Sequence, residues 1–206
     1  YLDNITNVSP NTNILYLMDA WSPSAGGWND YQGDEFIFTG AYDFTLRLPP
    51  VPQDGTYELR MGVSMNPLRG MVQIYFGEEN RTQAVGLPYD MRQTVGSYNS
   101  TIPWVEDVED EVVNAENDRK LRNAGYLKGP QYIMVTNGRS DMPVRQRGGG
   151  AAALRRIITV AEMQAGKTYC LRFKNVLQKS DSQFFLDYLE FVPVQVAKGP
   201  VPEDIW

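Results

Sequence analysis

The chain has 206 residues, 42% hydrophobic and 21% charged, which fits one folded domain with a substantial core and excludes a disordered chain. Its net charge of −6 repels phosphate backbones, so no nucleic-acid partner is expected. With no histidine and a lone cysteine, Cys170, the chain alone builds no Ser-His-Asp or Cys-His site, no histidine-ligated metal centre and no internal disulfide.

No apolar run approaches the ~20 residues that cross a bilayer, so no membrane-spanning segment is expected in this chain. A start at Tyr1 rather than Met points to a mature form or an excised domain of a longer protein. Taken in order, "NILYLMD" (13–19) is the first candidate strand. The segment "DAWSPSAGGWNDYQGD" (19–34) follows, where Trp21, Trp28 and Tyr31 sit among Gly, Ser, Asn and Asp. Such a loop carries ligand contacts through its aromatics, or the two tryptophans serve as lids over the end of the fold.

"DEFIF", "YDFTLRLP" and "TYELRMGVSM" are the next strands, broken by Pro49-Pro50 and by "QDG" at 53–55. In the last of them Tyr57, Leu59, Met61, Val63 and Met65 share one face. Thr56, Glu58, Arg60 and Gly62 share the other, the pattern of a half-buried antiparallel strand. "MNPLRG" (65–70) turns the chain into "MVQIYFG". Tyr89 in "VGLPYDMR", with Tyr98 and Trp104, makes a second group of candidate ligand-binding aromatics.

"PWVEDVEDEVVNAENDRKLRNAG" departs from alternation. Pro103 stands near its start, acids fill its first turns, Arg119, Lys120 and Arg122 its last, and Gly125 follows. That order suits the helix dipole and predicts an inserted helix over about 104–124. Its stripe of Val105, Val108, Val112 and Ala115 predicts docking by the first half. Its acids read as a solvated helix face rather than a calcium site.

"QYIMVTN" is a further strand, and "RQRGGGAAALRR" (145–156) a surface loop that lacks the ending of a phosphate loop. "LRRIITV", "KTYCLRF" and "SQFFLDYLEFVPV" (182–194) complete about nine strands. Cys170, in the second of these, reads as a packed, inert thiol. Read as one strand, residues 182–194 put Phe185, Asp187, Leu189 and Phe191 on one face and Phe184, Leu186, Tyr188, Glu190 and Val192 on the other. The fold expected is mainly β, a single antiparallel β-sandwich or jelly roll over 1–206 with one inserted helix.

In order, "YDFTLRLPPVPQDGTYELRMGVSMN", "VQIYFGE", "AGKTYCLRFKNV" and "FFLDYLEFVP" resemble the strand series of galactose-binding-like carbohydrate-binding modules. "YQGDEFIF", "YDFTLRLPPVP", "GTYELRMG", "RGMVQIYFG" and "VGLPYDMR" resemble the C-terminal β-sandwich of Bacteroidetes surface proteins that carry an N-terminal fasciclin-like domain. The second resemblance implies an exported, lipid-anchored protein at the cell surface or outer membrane, the chain being its C-terminal part, with a role in adhesion or glycan handling. The first also implies a structural calcium joining the last strand's Asp to acids near the N-terminus, here Asp187 with Asp34 or Glu35. The family's Glu-x-Glu pattern is absent, and "GDEF" stands in its place. Without calcium, Asp187 takes hydrogen bonds from loops or arginines, and Glu190 lies in water at the sheet end.

The function expected is a non-catalytic surface module that binds a glycan or a cell-surface protein through exposed aromatics. A structural or assembly domain is the alternative. A glycoside hydrolase comes third, because two carboxylates about 5–10 Å apart suffice for that chemistry; Asp30, Asp34 and Glu35 are its nearest candidates.

Overall fold

A computed structural model describes residues 2–17, 35–65, 67–93, 100–105, 107–128, 153–177, 179–186 and 188–199. These form an antiparallel β-sandwich with two helices. The strands are β1 (Ile5–Thr6), β2 (Thr12–Leu17), β3 (Glu35–Gly40), β4 (Asp43–Arg47), β5 (Gly55–Ser64), β6 (Met71–Glu78), β7 (Gln83–Ala84) and β8 (Tyr89–Asp90). After helix α1 (Glu111–Asn123) come β9 (Tyr126–Lys128), β10 (Ala153–Met163), β11 (Tyr169–Asn175), β12 (Gln183–Leu186), β13 (Leu189–Pro193) and the short α2 (Val194–Ala197).

One layer is a six-stranded sheet in the order β1-β4-β11-β6-β7, with β8 also on β6. Opposite lie a four-stranded sheet, β13-β5-β10-β9, and a three-stranded one, β12-β3-β2. Alternation explains the first layer: Phe44, Val72, Ile74, Leu171 and Phe173 turn inward and are buried. Phe38 of β3 stacks on Phe44 of β4 with centroids 3.7 Å apart, and Phe184 of β12 lies 4.8 Å from Phe173 of β11. These aromatic contacts join the three-stranded sheet to the six-stranded one.

The segment 182–194 is two strands rather than one. β12 pairs with β3, Leu186 opposite Phe36, whereas β13 pairs with β5, Leu189 opposite Met61. The chain passes between sheets at this point, so Phe184, Phe185 and Leu186 are all buried and period two lapses. Glu190 is not left in water at a sheet end. Its carboxylate lies 3.5 Å from the buried Arg60 and 3.6 Å from Arg155.

β5 likewise departs from the half-buried reading, since its polar face is covered. Glu58 and Arg60 are 3% and 1% exposed, too little for a solvated face. Arg60 donates from Nε to Glu58 at 2.6 Å, and Glu58 accepts a second bond from Arg122 of α1 at 2.6 Å. Burial of these charges is sustained by pairing.

Helix α1 begins at Glu111, not near 104. The Asp110 side chain accepts from the backbone N–H groups of Val112 and Val113, which makes it the N-cap. Asn114 holds Val108 outside the helix by bonds to both its N–H and its carbonyl, at 2.9 and 2.7 Å. Docking is also reversed along the helix: Val105, Val108 and Val112 are exposed, while Leu121 in the last turns is buried. Gly125, at φ +84, then turns the chain into β9. The expected strand at 131–137 lies outside the described residues.

Candidate functional site

The outward face of the six-stranded sheet is built by three adjacent strands. Their inward residues are fixed by the aromatic core, so Asp43, Thr45 and Arg47 of β4 point the other way, as do Cys170, Arg172 and Lys174 of β11 and Gln73, Tyr75 and Gly77 of β6. Register sets their neighbours. Arg172 lies opposite Thr45 on one side and Tyr75 on the other, and Lys174 opposite Asp43 and Gln73.

At its centre, Arg172 donates from Nε and Nη2 to the two oxygens of Asp43, both at 2.7 Å. The guanidinium of this forked pair lies over an aromatic ring, its carbon 5.3 Å from the centroid of Tyr75. The Asp43 carboxylate holds the Arg172 guanidinium above its ordinary range. Both partners keep access to water, with side chains 38% and 20% exposed, so hydroxyl groups of a ligand can reach them. Gln73 is tied down instead, its amide donating to the carbonyl of Ile74 at 2.9 Å.

Charges at the rim are paired, Arg47 with Glu79 and Lys167 with Glu78. Cys170 lies opposite Arg47 on one side and Gly77 on the other, and is buried; burial pushes its thiol up, which disfavours the thiolate. The face thus offers a partly buried ring with the Arg172 guanidinium over it, a planar ion pair and a lysine on rigid strands. It can stack on a flat apolar surface and exchange hydrogen bonds with hydroxyls around it.

A second feature is an apolar groove of about 490 Å³ at the seam of the layers, lined by Ile5, Phe36, Leu46, Leu189 and Phe191 among others. Asn4 and Arg47 are its polar lining among the described residues, together with Tyr188. No carboxylate is among them. The groove therefore offers apolar contact without a described acid–base pair.

Of the residues singled out from the sequence, Trp21, Trp28, Tyr31, Asp34 and Asp187 lie outside the described residues, as do Asp30 and Tyr98. Glu35 is described through its backbone, which pairs with Leu17 at the start of β3. Tyr89 is in the core, not on the surface. Its hydroxyl donates to the sulfur of Met65 at 3.0 Å, Arg156 lies 5.1 Å from its ring centroid, and burial pushes its ionisation well up. Trp104 is half-buried against the core, with Nε1 enclosed and without a hydrogen-bond partner. Among the described residues no three acidic or cysteine side chains converge as a metal site.

Tyr75, Arg172, Asp43 and Lys174 were not singled out by the sequence reading. The signal was present in the alternation of "YDFTLRLP", "MVQIYFG" and "KTYCLRF". What it lacked was the register that sets the three strands side by side.

No protein-family model matches the chain, and no curated protein does. The two resemblances therefore rest on their motifs. Among solved structures, the chain is similar to part of a Paenibacillus xanthan lyase, with 14% identity and a TM-score of 0.46. That similarity covers 92% of this chain and 12% of the lyase chain, so the chain spans about an eighth of that enzyme's length.

Proposed function

We propose that the chain is a non-catalytic binding module that holds a glycan on the outward face of its six-stranded sheet. The observation that carries this reading is the Arg172–Asp43 fork beside the Tyr75 ring. A pyranose presents an apolar C–H face and a rim of hydroxyls. Tyr75 supplies the stacking surface, and Arg172 has N–H donors left after its two bonds to Asp43.

The platform is pre-organised, because the strands beneath it are locked by the Phe38, Phe44, Phe173 and Phe184 cluster. Little ordering entropy is then lost on binding. Asp43 gives both of its oxygens to the charge-assisted fork with Arg172, an arrangement that suits recognition. An extracellular setting goes with the reading, since polysaccharides are met outside the cell.

Affinity electrophoresis through gels containing neutral and acidic polysaccharides tests this. The protein is expected to be retarded by at least one polymer, and Tyr75→Ala to weaken that binding by roughly tenfold, 1.4 kcal/mol. Migration unaffected by every polymer would overturn the reading and leave a structural domain of a larger assembly.

A further inference from the structure

The charges on the proposed glycan face do not cancel. Asp43 is neutralised by Arg172, Glu79 by Arg47 and Glu78 by Lys167. Lys174 remains, on β11 in the middle of the sheet order, with no carboxylate partner among the described residues. Asp43 faces it in register, but its oxygens bond Arg172 and no ion pair joins it to Lys174. Its other cross-strand neighbour, Gln73, is a neutral amide engaged with backbone carbonyls. A cation without a partner is notable on a chain whose net charge is −6.

Lys174 and Tyr75 are diagonal neighbours on adjacent strands, since Tyr75 is opposite Arg172 and Gln73 opposite Lys174. Diagonal positions on one face stand roughly 7–8 Å apart, within reach of a long side chain. A sugar ring stacked on Tyr75 can therefore place a substituent of its rim, the exocyclic carbon included, within reach of the Lys174 ammonium. From this geometry we infer that the face recognises acidic saccharides: a hexuronate stacks on Tyr75 while its carboxylate pairs with Lys174. The ligand supplies the negative charge that the protein withholds at that position. This specificity rests on the glycan reading above and adds the chemical class of the ligand to it.

The test is affinity electrophoresis with polygalacturonate, alginate and hyaluronate, beside fully methyl-esterified forms of each, whose rings are the same and whose charge is gone. The wild type is expected to bind at least one acid form roughly tenfold tighter than its ester, with a preference that shrinks as salt is raised. Lys174→Gln is expected to erase the preference, so that acid and ester bind alike, with an unchanged melting temperature as the check on folding. Equal affinity of the wild type for acid and ester, or a preference that survives Lys174→Gln, overturns the assignment. If Tyr75→Ala still weakens binding in that case, the glycan reading stands without it. Wild-type binding to none of the three acid forms also overturns the acidic class, and retardation by neutral polymers then decides the glycan reading separately.

Discussion

At the scale of single residues, the tightest constraint on β5 is a missing side chain. Gly62 sits in the strand interior, where glycine ordinarily costs about 0.5–1 kcal/mol. Its N–H donates to the carbonyl of Tyr188 at 3.0 Å, and a Cβ at this position would stand 2.2 Å from the Tyr188 ring. The ring occupies the space that any larger residue would need. Gly62→Ala is therefore expected to destabilise by roughly 1–3 kcal/mol in urea unfolding, as overpacking does. Adding Tyr188→Ala should recover part of that loss; a strictly additive double variant would show that the ring is not the cause.

At the scale of elements, α1 shows how capping outweighs composition. Asp110→Ala removes the acceptor for Val112 and Val113 N–H and is expected to cost about 1 kcal/mol, with faster amide exchange in the first turn. Exchange unchanged at those amides would mean that the cap is dispensable. The end of the helix was legible in advance, because Gly125 and the basic residues mark it. Its start was not, since Pro103 and the acids after it form an equally good opening by composition alone. Asn114 decides the matter through its two bonds to Val108, a contact that no periodicity predicts.

The strands divide in the same way. β6 and β11 follow their alternation because one side of each meets the aromatic core. β12 and β13 could not be separated from sequence, because "FFLDYLEF" is apolar on both faces and the switch of sheets leaves no Gly or Pro behind it. The polar half of β5 was misread for a related reason. Charged residues on a strand suggest water, and only the arrival of Arg122 and Glu190 from distant elements makes Glu58 and Arg60 interior residues.

At the scale of the whole molecule, that ion cluster is a joint. Glu58 and Arg60 belong to β5, Glu190 to β13, Arg155 to β10 and Arg122 to α1, so one set of charges ties four elements together. Arg155 extends it by donating to the carbonyl of Lys128 at the end of β9, whose side chain pairs with Asp107 and Asp118. Glu58→Ala removes the carboxylate shared by Arg60 and Arg122. A loss of roughly 3–5 kcal/mol is expected, as for other buried pairs broken from one side. The check is urea unfolding followed through both the helical and the strand signals, which should be lost together. A small effect on stability would mean that the arginines find other acceptors.

The pairing of β5 with β13 also bears on how the polypeptide is made. Met61 leaves the ribosome long before Leu189, its partner in the ladder, with a delay on the order of ten seconds at ordinary elongation rates. Throughout that interval one hydrogen-bonding edge of a ten-residue strand has no native neighbour. Completion of the four-stranded sheet thus waits for the synthesis of β13, and the nascent chain has to be kept from pairing elsewhere until then.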